Sequence, residues 1–218
     1  MAGAIAALIL AVVTASVATG TGLGTRSTAS DKPTESPSTA AAVPRAVDSA
    51  KTEPAPAPES LHFTNGIFEV GVDVRPGTYR TRTGSGGCYF ARLKGFGGSV
   101  DEILASGATN APAVVTILPT DKGFQSDHCA PWTANVSPIA RNNSVGPGDY
   151  IVGIDLQPGT YRSGGGGLAC YFARLRGFTH APGDVIANNH TQGSAIVSIA
   201  ASDRGFTSNG CGTWSKVR

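Results

Sequence analysis

Apolar and polar positions are patterned in three ways along the chain. Ala4 to Ala18 is a nearly continuous apolar run with no charge. Over residues 25–61 the apolar side chains thin out into Ser, Thr, Ala and Pro. From residue 62 onward, short apolar stretches alternate with polar positions and are cut by Pro-Gly and Gly-rich turns. In Val114-Val115-Thr116-Ile117 and Ile196-Val197-Ser198-Ile199, a period of two places Val115 with Ile117, and Val197 with Ile199, on an inward face. Pro76-Gly77 and Pro158-Gly159 mark turns that lead into Thr-Tyr-Arg strands. Cys-Tyr-Phe-Ala-Arg-Leu, at 88–93 and 170–175, is rich in strand-forming aromatics. Asp101 to Ala105 fits a strand or a helical turn, and a strand is expected. Some five to six short strands per unit, with turn signals every 8 to 12 residues, predict an all-β fold of the small sandwich or barrel-like kind.

The apolar start reads as a targeting segment spanning residues 1–24. Ser16 and Ala18 put small side chains where a signal peptidase needs them, although the first basic residue is Arg26. An uncleaved anchor is the alternative, but it needs about 20 apolar residues, and this run reaches that only with Thr and Gly included. A cleaved signal is the expected fate. Residues 25–61 carry too few apolar groups to offset the entropy of ordering them, so a disordered linker is predicted. In a polyproline form its roughly 36 residues would extend about 110 Å. It is either a spacer or a bare connection.

Internal self-similarity carries most of the information. Val70-Gly71-Val72-Asp73-Val74-Arg75-Pro76-Gly77-Thr78-Tyr79-Arg80 matches residues 152–162, and the offset of 82 then holds without a gap. It pairs Cys88 with Cys170, Asp121 with Asp203, Phe124 with Phe206, Cys129 with Cys211 and Trp132 with Trp214. About four in ten positions from 67 onward are identical. The chain therefore holds two β modules, 62–136 and 147–218, joined by a polar segment over 137–146 that should allow relative motion. Four cysteines, two per module, permit three pairings. The repeat favours Cys88–Cys129 and Cys170–Cys211. A domain of about 70 residues has a thin core and benefits from such a staple, and oxidised cysteines agree with export. No C-x-x-C pair offers a metal site, and none of His62, His128, His180 or His190 recurs, so no cofactor or metal is expected.

Composition adds little more. Abundant Gly and Pro (29 and 14 residues) suit turn-rich β structure, and a net charge of +2 does not resemble a nucleic-acid binder. Catalytic constellations are thin, since a nucleophile would need an activating His. Asp73, Asp155, Asp121 and Asp203 recur, but beside turns, where hydrogen bonding to the turn accounts for them. The recurring basic residues are the candidate binding set: Arg80, Arg92 and Lys94 in one module, Arg162, Arg174 and Arg176 in the other. Positions two apart share a strand face, so Arg92 with Lys94, and Arg174 with Arg176, would form a cationic row. The same parity puts Cys88 and Phe90 on that side, which a bulge would reconcile. A solvated face, or ion pairs to the recurring aspartates, is the other reading. Trp132 and Trp214 follow a cysteine by three residues and are expected to pack on the disulfide rather than bind sugar.

The Pro-Gly-Thr-Tyr-Arg and Cys-Tyr-Phe-Ala-Arg-Leu pairs, with a later Cys and Trp, resemble a module repeated in actinobacterial secreted proteins and lipoproteins. That resemblance covers both modules and implies an envelope or extracellular setting. It carries no activity or ligand, so no functional residue transfers by it. This chain departs from the lipoproteins in lacking a cysteine to lipidate near the N-terminus. The expectation is a non-enzymatic secreted or envelope protein with two repeated binding or structural modules, whose ligand the sequence does not name; an anionic cell-wall polymer is one candidate partner. An extracellular protein partner or an inhibitor role is the alternative, and a hydrolase the third. Any membrane contact would run through an uncleaved N-terminal segment.

Overall fold

A computed structural model describes residues 62–140, 144–165 and 169–217. The expected targeting segment and linker lie outside the described residues. The first module contains β1 (His62–Phe63), β2 (Gly66–Glu69), β3 (Gly77–Thr81), β4 (Cys88–Leu93), β5 (Ile103–Thr109), β6 (Val114–Ile117), β7 (Gly123–Asp127) and β8 (Trp132–Thr133). The second repeats them as β9 (Ser144–Val145), β10 (Gly148–Ile151), β11 (Gly159–Ser163), β12 (Cys170–Leu175), β13 (Val185–Thr191), β14 (Ile196–Ile199), β15 (Gly205–Asn209) and β16 (Trp214–Lys216). Both modules are all-β. Each has eight strands, more than the turn spacing suggests, because β1, β8 and β9 are only two residues long.

Each module packs two four-stranded antiparallel sheets, ordered β1-β8-β3-β6 and β2-β7-β4-β5 in the first, and β9-β16-β11-β14 and β10-β15-β12-β13 in the second. The copies agree register for register: Gly77 faces Ile117 as Gly159 faces Ile199. A bulge falls between Arg92 and Leu93 and again between Arg174 and Leu175. Asp101 to Ala105 divides between a single 3₁₀ turn over Val100–Glu102 and the start of β5. Ser144 and Val145, within the expected joint, pair with Ser215 and Trp214, so the second module begins there rather than at 147.

Side chains from both sheets fill each core, as Tyr79, Phe90, Val115, Ile117, Phe124 and Trp132 do in the first module. Val115, Ile117, Val197 and Ile199 face inward as their alternation requires. Trp132 and Trp214 are fully buried in the clusters that hold the cysteines, and each indole N–H donates to a serine, Ser126 or Ser208, at 2.9 and 2.8 Å. That removes them as exposed sugar platforms. Tyr79 and Tyr161 donate their hydroxyls to the carbonyls of Arg75 and Gln157, tying the Pro-Gly turns to the core. Burial pushes both hydroxyls above their ordinary pKa. Disulfides Cys88–Cys129 and Cys170–Cys211 each span 41 residues, and no free cysteine remains. A loop of that length contributes about 4 kcal/mol on the chain-entropy estimate.

Candidate functional site

The six basic candidates do not share one surface. Arg92 lies on the inward side with Cys88 and Phe90, as strand parity dictates, and its guanidinium grips both carboxylate oxygens of Asp121 at 2.7 Å. Arg174 holds Asp203 the same way, at 2.6 and 2.9 Å. Each carboxylate also accepts a turn N–H, from Leu118 or Ala200, so the pair locks β4 or β12 to the loop before β7 or β15. Hydrogen bonds from Arg174 hold the Asp203 carboxyl below the usual carboxylate range. After the bulge, Lys94 and Arg176 emerge exposed. Arg162 is exposed as well, whereas its counterpart Arg80 is fully buried. Three of the six, Arg80, Arg92 and Arg174, are therefore committed internally, and the continuous cationic row is replaced by separate exposed charges at Lys94, Arg162 and Arg176.

Arg80 leads to the most constructed part of the molecule. Its guanidinium crosses from the first module to Asp155 of the second, with contacts of 3.2 and 2.9 Å between fully buried side chains. It also donates to the carbonyls of Val136 and Ser137. Asp155 additionally accepts the N–H groups of Ile139 and Ile151, at 2.9 and 2.7 Å. Around this pair the outer edge of β6 meets the second module. Thr116 N–H donates to the Phe178 carbonyl at 2.7 Å, and Val114 N–H to Asp149 Oδ2 at 3.0 Å. Asp149 N–H returns a bond to the Pro112 carbonyl, and Arg92 reaches the Thr179 carbonyl, both at 2.8 Å. Val114 packs into an apolar cluster with Ala173, Leu175 and Phe178, which explains its burial on the face opposite Val115. The joint expected to be loose is thus fastened by main-chain and charged contacts on both sides.

His180 belongs to the same interface and adopts a left-handed backbone, φ 59°. At the equivalent position the first module has Gly98, φ 78°, where that conformation carries no Cβ penalty. A non-glycine residue there costs about 1–3 kcal/mol. The His180 ring sits edge-on to Phe90, with centroids 4.8 Å apart, and its Nε2 is 2.8 Å from the Val114 carbonyl. A cleft of about 330 Å³ opens beside it, its wall including Asp149, Tyr171 and Ser208. Asp149 Oδ2 stands 3.9 Å from His180 Nε2. A hydrolase would want such a His and Asp together, but here both are bound to Val114 main-chain atoms, and Ser208 Oγ receives the Trp214 N–H. Among the described residues no group of three His, Cys, Asp or Glu could hold a metal ion.

The docking is asymmetric between equivalent modules, so among the described residues one matching face is left uncovered at each end. Phe178 is 6 % exposed beneath the first module, while its counterpart Phe96 is 54 % exposed. Both rings lie over a glycine, Gly205 or Gly123, where any Cβ would collide with them, so the aromatic lid keeps the same pose whether covered or not. Conversely Val114 is buried at 0 %, while Ile196 on β14 is 57 % exposed. Ile67 and Val72 join Phe96 among the exposed apolar side chains of the first module. Strand periodicity alone did not single out this interface. The available signal was the breaks in the repeat, where Asp149 replaces Ile67 and His180 replaces Gly98.

A family model for the Rv1352-like extracellular domain matches the chain twice, over residues 61–133 and 142–215. No curated protein matches the chain, and no solved structure does. An extracellular domain family and two formed disulfides place the protein outside the cytoplasm.

Proposed function

We propose, since the chain belongs to the Rv1352-like extracellular domain family in two tandem copies, that it is a non-enzymatic extracytoplasmic interaction protein whose first module recognises a protein partner. One observation carries this reading. The face of the second module that is spent on a protein contact has an equivalent on the first that no described residue covers, bearing Phe96, Ile67 and the carboxylate of Asp73. An aromatic with an aliphatic neighbour and a rim charge is the composition of a protein-binding patch rather than of a polyanion site. The anionic-polymer reading loses support because three of its six cations are already neutralised by aspartates. Hydrolysis loses support because the one His–Asp approach in the cleft is occupied by main-chain partners.

A photo-crosslinking amino acid placed at Phe96 of the exported full chain tests the reading in living cells. The expected result is a discrete protein adduct at position 96 and none from the same label at exposed Leu104 on β5. The reading fails if position 96 gives no adduct. It also fails if the purified protein is retained on polyglutamate beads and a Lys94→Glu, Arg162→Glu, Arg176→Glu variant is released.

A further inference from the structure

We infer that the partner on the Phe96 face is a second copy of this chain, docked through β14 so that the contact within the chain is repeated between chains. The inference rests on the protein-partner reading above and identifies that partner. Its basis is the equivalence of the two modules at an interface that is head-to-tail rather than symmetric. The covered junction uses the β6 edge of one module and the β10 edge of the next. Its unused equivalents are the β14 edge at one end of the pair and the β2 edge at the other, each the outermost strand of its sheet.

Four kinds of interaction map across. Arg80 with Asp155 becomes exposed Arg162 with exposed Asp73, so the charges are complementary. Asp73 is already preset, because its Oδ2 accepts Glu69 N–H at 2.8 Å as Asp155 accepts Ile151 N–H. Thr116 N–H to the Phe178 carbonyl becomes Ser198 N–H to the Phe96 carbonyl, and Asp149 N–H to Pro112 becomes Ile67 N–H to Ser194. These are main-chain bonds, and the shared registers aim the edge groups of β14 and β2 outward as those of β6 and β10 are aimed. Arg92, which reaches the Thr179 carbonyl, has a 7 % exposed side chain, and Arg174, which would reach Gly97, a 26 % exposed one. Ile196, 57 % exposed, would pack on Phe96, 54 % exposed, as Val114 packs with Phe178.

The contacts made through the connecting segment, from the Val136 and Ser137 carbonyls to Arg80 and from Ile139 N–H to Asp155, are not part of this mapping, and two side-chain contacts are lost as well. Ile67 cannot replace the Asp149 carboxylate, and Gly98 cannot replace the His180 ring. The junction between chains is therefore weaker than the one within the chain, which also gains from a short tether that holds its modules at millimolar effective concentration. Heterologous contacts leave one free face at each end of every assembly, so they propagate into open arrays unless the rotation closes a ring.

Light scattering on the purified full chain, from about 10 µM to about 1 mM to span that effective concentration, gives the test. The weight-average mass is expected to rise with concentration beyond that of a dimer. Arg162→Glu alone and Asp73→Arg alone should each stay monomeric, the first melting like the parent and the second slightly lower for the lost Glu69 N–H bond. Their equimolar mixture should regain the higher mass, because both junctions are then oppositely charged again. A parent protein still monomeric at the top concentration overturns the inference, as does association that neither variant weakens. If a Phe96 adduct still forms in cells in that case, the partner is a different protein and the functional reading stands. If no adduct forms, both fall.

Discussion

Arg80→Met tests whether the two modules behave as one folding unit. Arg80 supplies two bonds to Asp155 and two to main-chain carbonyls of the connecting segment, all from a side chain with no exposure. Removing one member of a buried pair leaves an uncompensated charge and costs about 3–5 kcal/mol. Here Asp155 keeps the Ile139 and Ile151 N–H groups as partners, so the lower end, about 3 kcal/mol, is expected. Asp155→Asn turns N–H donors toward the guanidinium and should cost a similar amount. In the double variant the two losses should not add, with a coupling of about 2 kcal/mol. The chain has two tryptophans, one buried in each module, so 5-fluorotryptophan labelling gives one ¹⁹F resonance per module. In urea the native signals of Trp132 and Trp214 should vanish at a common midpoint. In Arg80→Met they should separate. A loss under about 1 kcal/mol, far below the cost of an unpaired buried charge, with the midpoints still together would refute a coupling role for this pair.

His180 and His128 both sit at positive φ, yet the same substitution should act oppositely on them. His128→Gly, at an exposed site whose counterpart is Gly210, should stabilise by about 0.5–1 kcal/mol in urea unfolding, whereas His180→Gly should destabilise through loss of the Phe90 and Val114 contacts. Replacing Cys88 and Cys129 together by Ala should cost about 4 kcal/mol in the first module and leave the ¹⁹F transition of Trp214 the less affected of the two. Asp203, depressed by Arg174, contributes stability above the unfolded carboxyl value near 4 and loses it as pH falls through its lower folded value. Acid unfolding of Asp203→Asn followed by circular dichroism should therefore show a flatter slope over that window; an unchanged slope would count against the pair.

Much of the fold was legible because sandwich strands carry a period of two and the chain carries its own alignment. Val115, Ile117 and the cysteine pairs followed from those two facts. Arg92 and Arg174 were harder, since their aspartates lie 29 residues away and only the sandwich brings them within reach. Parity with Cys88 and Phe90 already pointed them inward, and the bulge turns the next basic residue out. The interface escaped because attention to recurring residues overlooks a contact made by those that differ. Asp149 and His180 stand out only once Ile67 and Gly98 are recognised as their counterparts.

The pairing of β1 with β8 has a mechanical consequence. His62 lies opposite Thr133, so the first module's chain enters and leaves side by side at one corner of a sheet. Ser144 opposite Ser215 does the same in the second. Tension along the polypeptide would therefore not shear either sandwich. It would unzip the short terminal strands first and then peel β2 and β3, or β10 and β11, until it reached the Cys88–Cys129 or Cys170–Cys211 crosslink. Under load such a module should yield early over a short extension and then hold, which a single-molecule stretching trace would record as a small first step that lengthens when the disulfide is reduced.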